Sequence, residues 1–207
     1  TLGTAVTPNH VSKIMRYTNK IFFAFDGDLA GGKAAWKAVE NTFPIIREDM
    51  NIHLLIEAYK KVPEKRIVII SNWHISKYGQ KLFDENIDKY DNIILLKAIY
   101  DSKELDIIRS HTSLYIHTHS LCGTAPSLVE AMSLNIPVIS FDVPTNRFTT
   151  ENKTLFFKDA LSLIQILKNL DLEVLLKIKN QMFEISKRRY VWTRISKIYQ
   201  KNLSFNN

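Results

Sequence analysis

Tyr115-Ile-His-Thr-His-Ser-Leu-Cys-Gly-Thr-Ala-Pro-Ser-Leu-Val-Glu-Ala-Met132 is the stretch that decides the fold. It opens as a strand that ends at His117, passes through a loop of small residues, and becomes a helix at Pro126 or Ser127. A helix that starts there presents unbonded N–H groups and a positive dipole end at the strand's C-terminal edge, which suits a diphosphate. Gly123, Thr124 and Ser127 let the backbone approach closely and add hydrogen-bond donors. Glu130, one turn into the helix, is placed to accept hydrogen bonds from ribose hydroxyls, as acidic residues do in dinucleotide sites. Taken alone, Glu130 also reads as a solvated helix residue. His117 and His119 stand two apart with no Cys or acidic ligand at zinc spacing, so a buried, hydrogen-bonded imidazole is expected rather than a metal pair.

On both sides of this stretch, strands and helices take turns. Upstream, helix-spaced residues cover 52–62, 77–88 and 102–110, and apolar runs at 66–70, 92–96 and 113–117 read as strands. Downstream come strands at 137–140 and 154–157, then helices at 127–134, 159–169, 172–187 and 191–201. Alternation of this kind makes βαβ units, so the expected fold class is α/β, with a Rossmann-like, mostly parallel sheet flanked by helices. The runs are continuously apolar, which predicts strands buried on both faces. Before residue 50 the chain adds a helix opened by Thr7-Pro8, a strand at 20–25 and a helix at 29–42.

Bulk properties narrow the function classes. The chain has 207 residues, 45% hydrophobic and 24% charged, so it can bury a core and is not expected to be disordered. No apolar run reaches the ~20 residues of a membrane span. The single Cys122 has no intramolecular disulfide partner, which fits a reducing, cytoplasmic setting. The net charge of +7 is concentrated between residues 177 and 201, where Lys177, Lys179, Lys187, Arg188, Arg189, Arg194, Lys197 and Lys201 face only Glu184. Such a face reads either as merely solvated or as drawn to nucleic acid, to phosphates or to the anionic inner surface of a membrane. Asp26-Gly-Asp28, just past the 20–25 strand, reads either as plain turn chemistry or as a pair of carboxylates for a hard divalent ion.

Two resemblances follow from these residues. Leu2-Gly-Thr-Ala-Val-Thr-Pro8, Tyr17-Thr18, Phe25-Asp-Gly-Asp-Leu-Ala-Gly31 and Lys33-Ala-Ala-Trp36 resemble the Toprim region of bacterial DNA primase, as far as about Asp49. That resemblance implies Mg2+ at Asp26 and Asp28. The family's upstream glutamate and further acidic motif have no counterpart here, so a truncated Toprim-like segment without primer synthesis is expected. Arg109-Ser110, Tyr115-Ile-His117, His119-Ser120, Gly123-Thr124, Pro126-Ser-Leu-Val-Glu-Ala-Met132, Pro137-Val-Ile139, Phe141-Asp142, Asn146-Arg147 and Thr150-Glu-Asn-Lys153 resemble bacterial retaining glycosyltransferases of the GT-B fold, rhamnosyltransferases among them. Asn51-Ile-His-Leu-Leu-Ile-Glu-Ala58 and Ser71-Asn-Trp73 match earlier segments of the same pattern.

The second resemblance implies the C-terminal, donor-binding domain of such an enzyme. Glu130 would take the donor ribose, and Gly123, Thr124, Pro126 and Ser127 the pyrophosphate. His119 and Asn72 would lie near the phosphates or the base. The superfamily's first glutamate falls at Cys122, and no residue is assigned a catalytic role. The expected ligand is a UDP- or dTDP-linked sugar destined for a growing polysaccharide. No cofactor is expected for the transferase part, and nucleic acid is not an expected partner. The acceptor domain has no counterpart in the chain, so donor binding without turnover is expected. The expected domains are 1–49 and 50–207. They meet between Arg47 and Asn51 in the manner of a chimera, and residues 20–42 either dock on the transferase sheet as a surrogate edge unit or belong to an unfolded tail.

Overall fold

The computed structural model describes residues 50–191, 193 and 194, with Cys122 excepted. The elements expected in residues 1–49, their docking, and most of the 191–201 helix fall outside the described residues. The described chain runs α1 (Ile52–Tyr59), β1 (Ile67–Ser71), a 3-10 turn (Trp73–Ile75), α2 (Lys77–Asn86), β2 (Ile93–Lys97), α3 (Ser102–Ser110) and β3 (Tyr115–His117). It continues as α4 (Pro126–Ser133), β4 (Val138–Phe141), α5 (Pro144–Thr149), β5 (Leu155–Phe157), α6 (Ala160–Asn169) and α7 (Leu172–Arg189). α5 was not expected. Its signal is Pro144, whose fixed φ suits the first helical position.

Local chemistry sets the helix starts. The Ser76 hydroxyl accepts from the Gly79 N–H at 2.9 Å to open α2. Asp101 accepts from Lys103 and Glu104 to open α3, and Asp159 and Asp171 do the same for α6 and α7. α4 and α5 differ: each begins at a proline and neither has a capping side chain.

All strand pairings are parallel, as βαβ units require. β1 pairs with β2, and β4 lies between β3 and β5. The hydrogen bonds form two sheets rather than one, yet both border a single core in which Ile69, Ile93 and Leu95 join Ile139 and Phe157. Ile52, Leu55, Ile56 and Tyr59 repeat at helical spacing and turn one stripe of α1 into this core, where α1 packs on α6. The side chain of Asn92 closes the return from α1 to the sheet. Its amide donates to the carbonyls of Tyr59 at 2.8 Å and Lys65 at 3.0 Å.

Burial on both faces holds for β4, where Val138, Ile139 and Ser140 are fully enclosed. It does not hold for β1 and β2. Their in-register partners Val68 and Ile94 remain 44% and 41% exposed. Only alternate residues of these two strands reach the core, because successive side chains point to opposite faces.

A second core forms where α4 packs on α7. Leu128 and Met132 meet Ile178, Met182 and Ile185 there, with Val138 beneath. The C-terminal end of α7 is fastened as well. The chain enters β5 through Glu151 and Asn152, both left-handed, with φ of 51° and 56°. Arg188 donates to both carboxylate oxygens of Glu151 at 2.6 Å, and Arg189 donates to the Phe148 carbonyl at 2.6 Å. Two cations of the basic 177–201 run are thus bonded within the fold. Among the described residues no helix is long and apolar enough to cross a membrane.

His117 is fully enclosed, shares a 3.3 Å hydrogen bond with the Tyr115 hydroxyl, and lies against the His119 ring with centroids 4.8 Å apart. Burial, and then the nearby His119, push its pKa down to about 3. The imidazole is therefore neutral in the folded protein at pH 7. An unfolded chain protonates it near 6.5, so the unfolded state binds the extra proton and stability falls as pH drops below that value. Urea unfolding should show a loss of about 1.4 kcal/mol between pH 7.5 and 5.5 through this residue alone. His117→Gln should remove that part of the slope. The paired carboxylates Asp142 and Glu151 are held below their usual range by their arginine partners. Their contribution is lost only at more acid pH, as they protonate. Met182→Ala should cost roughly 2–5 kcal/mol in the same assay, as large-to-small changes in a closed core do.

Candidate functional site

Beyond His117 the chain leaves the sheet, and its next carbonyls have no strand to accept from. Two asparagine side chains supply the missing donors. Asn51 Nδ2 donates to the Thr118 carbonyl at 3.0 Å, and Asn146 Nδ2 donates to the His119 carbonyl at 3.0 Å. Asn146 is fully buried in the first turn of α5 and donates a second bond, also 3.0 Å, to the Phe141 carbonyl at the end of β4. Asn51 precedes α1 in the left-handed region at φ 52°, which asparagine tolerates better than most residues. Its side chain reaches across to the loop instead of capping α1.

The rest of the loop is open. Gly123, Thr124 and Pro126 are exposed, and His119 and Ser127 are half-buried. A Cβ placed on Gly123 would meet nothing within 4 Å, so packing does not account for a glycine at that position. α4 starts at Pro126, and its first intrahelical bond runs from the Val129 N–H to the Ala125 carbonyl at 3.2 Å. The N–H groups of Ser127 and Leu128 precede that bond, and among the described residues no side-chain cap is made there. Small residues, two backbone donors and two hydroxyls therefore gather at the C-terminal edge of the sheet, where open α/β folds bind ligands.

Glu130 is the half-exposed carboxylate of this helix. Its Oε2 lies 2.5 Å from Nη2 of Arg109 on α3, whose Nη1 is 3.4 Å from Asp106. Sequence reasoning singled out Glu130 and passed over Arg109, whose only signal was its place in the family pattern. Asn146 was likewise quoted in that pattern without a role. Asn72, the other expected site residue, follows β1, and its Oδ1 accepts from the Tyr100 hydroxyl at 2.9 Å. That bond joins the end of β1 to the segment after β2. Just past β4, Arg147 grips Asp142 through two bonds of 2.5 and 2.8 Å. Asp26, Asp28 and Cys122 lie outside the described residues. Among the described residues no group of three or more His, Cys, Asp or Glu could hold a metal ion.

Known proteins of two kinds resemble this chain. The C-terminal domain of a glycosyl transferase group 1 family protein, LpcC of Francisella tularensis, superposes with a TM-score of 0.57 at 20% identity, covering 72% of this chain and 84% of that one. HepE (Alr3699) of Anabaena, crystallised with UDP, gives 0.67 at 15% identity over 96% of this chain and 62% of its own. The pneumococcal O-GlcNAc transferase GtfA, crystallised with UDP and GlcNAc, gives 0.57 at 19% identity over 76% of this chain and 33% of its own. At these identities the likeness is one of fold, the GT-B, Rossmann-like arrangement of parallel sheet and flanking helices.

The N-terminal part is similar to DNA primases. The primase of Neisseria meningitidis serogroup A is 39% identical over 84 residues, 41% of this chain and 13% of that protein. The primase of Pseudomonas aeruginosa is 42% identical over 55 residues, 27% of this chain and 8% of that protein. The chain spans only that small share of the primases it matches and joins the primase-like stretch to a transferase domain. Residues 45–175, more than half of the chain, match the family described as Glycosyl transferases group 1, and the chain belongs to that family.

Proposed function

We propose that this chain is the donor-binding part of a glycosyltransferase. It takes a nucleoside-diphosphate sugar, UDP- or dTDP-linked, on the loop after β3. The observation that carries this reading is the uncapped start of α4 at the sheet's C-terminal edge, with Gly123, Thr124 and Ser127 around it and Glu130 one turn further on. Backbone N–H groups at a helix start hold phosphate oxygens. The open side of Gly123 leaves room for that approach, and the Glu130 carboxylate accepts from sugar hydroxyls. Pro126 fixes the helix start, and His119 borders the phosphates. Membership of the group 1 family supports the reading. So do the UDP and UDP-glucose complexes of the Anabaena protein that shares the fold.

In this reading the transferase part begins near residue 50. What its own residues supply is the binding of the donor. Arg188 and Arg189 are engaged by Glu151 and Phe148, and no role at a membrane is assigned to them.

Calorimetric titration of the full chain with UDP, dTDP and GDP tests the reading. One of the uridine or thymidine nucleotides should bind, and Glu130→Ala should weaken it about 10- to 100-fold, the worth of a hydrogen bond to a charged group. A folded chain with no affinity for any of the three would end the proposal. Gly123→Val should leave the thermal midpoint unchanged, since its side chain points into open space, while reducing nucleotide affinity at least about tenfold by obstructing the phosphates. Equal affinity in that variant would remove the loop from the site.

A further inference from the structure

The contact between Arg109 on α3 and Glu130 on α4 joins residues 21 apart in sequence, and it occupies one carboxylate oxygen only. Arg109 is itself steadied from within α3 by Asp106, one turn back, at 3.4 Å. As a stabilising device the pair is weak. The Arg109 side chain is 27% exposed and that of Glu130 is 45% exposed, and ion pairs this open to water add little to folding. As a positioning device it is well made. A glutamate on an open helix face has several rotatable bonds and samples many directions. A guanidinium fork held on a neighbouring helix selects one of them. No residue of α3 between 103 and 110 is fully buried, so this side chain is among the few features that tie α3 to the site.

We propose that Arg109 is a positioning residue for the donor. By holding Oε2 of Glu130 it orients the carboxylate and leaves Oε1 to accept from a ribose hydroxyl, and so sets the hydroxyl-dependent part of nucleotide affinity. The inference rests on the donor site proposed above and adds a residue to it. Arg109 touches no ligand in this scheme, and its effect passes through Glu130.

The test compares UDP with 2′,3′-dideoxy-UDP as probes, in calorimetric titrations of the full chain and its variants. The unaltered chain should prefer UDP. Arg109→Ala should weaken UDP binding about tenfold and leave the dideoxy nucleotide within about twofold, so that the preference collapses while the thermal midpoint holds. Arg109→Lys, which keeps the charge and loses the fork, should restore part of the preference. Equal weakening of both nucleotides would show that Arg109 serves the fold or the phosphates, and would overturn the inference. Unchanged UDP affinity in Arg109→Ala would overturn it as well. If Glu130→Ala itself leaves the preference untouched, or the unaltered chain shows none, the ribose role of Glu130 fails, and this inference fails with it.

Discussion

Two carbonyls at the end of β3 carry the geometry of the candidate site. A strand that leaves its sheet must find donors for its last C=O groups or expose them to water. Thr118 and His119 find them in the amides of Asn51 and Asn146. Asn51 belongs to the approach to α1, and Asn146 belongs to α5, which follows β4. The loop is thus held by two separate elements before it opens into Gly123 and Thr124. Each clamp is specific to its residue type. An amide can donate where a carboxylate cannot, and asparagine is one of the few residues with a side chain that accepts the left-handed backbone at position 51.

The helix that the loop delivers is buttressed from behind. α4 places Leu128 and Met132 against Ile178, Met182 and Ile185 of α7, and α7 is tied at its end to the turn before β5 by Arg188 on Glu151. The second core therefore fixes where the uncapped start of α4 stands relative to the sheet. Three helices that follow strands, α2, α3 and α6, are closed by their own Ser or Asp. α4 leaves its donors open. A helix start without a cap gives up local stability, and burial of its other face against α7 offsets that loss.

Much of this was legible in the residues. The alternation of apolar runs and helical stripes gave α1 through α4, α6, α7 and all five strands to within a few residues, because periods of two and 3.6 mark which faces can be buried. Glu130, the small-residue loop and the helix start stood out for the same reason: they are local, and local chemistry is written in adjacent residues. Burial of β1 and β2 was misjudged, since an apolar run does not say whether an element covers its second face, and Val68 and Ile94 lie on an open one. α5 was overlooked because six residues carry too short a pattern, with Pro144 as the main sign. The partner of Asn72, the Tyr100 hydroxyl, is likewise a pairing that adjacency in sequence does not disclose.

By itself, then, the sequence determined an α/β chain with parallel strands, a phosphate-suited loop after the strand that ends at His117, and the position of one carboxylate in the following helix. These depend on periodicity and on residues within a turn or two of each other. The tertiary structure alone decided which side chains hold that loop and that carboxylate. Asn51 is 67 residues from Thr118, Asn146 is 27 from His119, and Arg109 is 21 from Glu130. Each of these partners acts on the site through a directed hydrogen bond or ion pair. Such a bond has no period, and it exists only once packing has brought separate elements to within about 3 Å of one another.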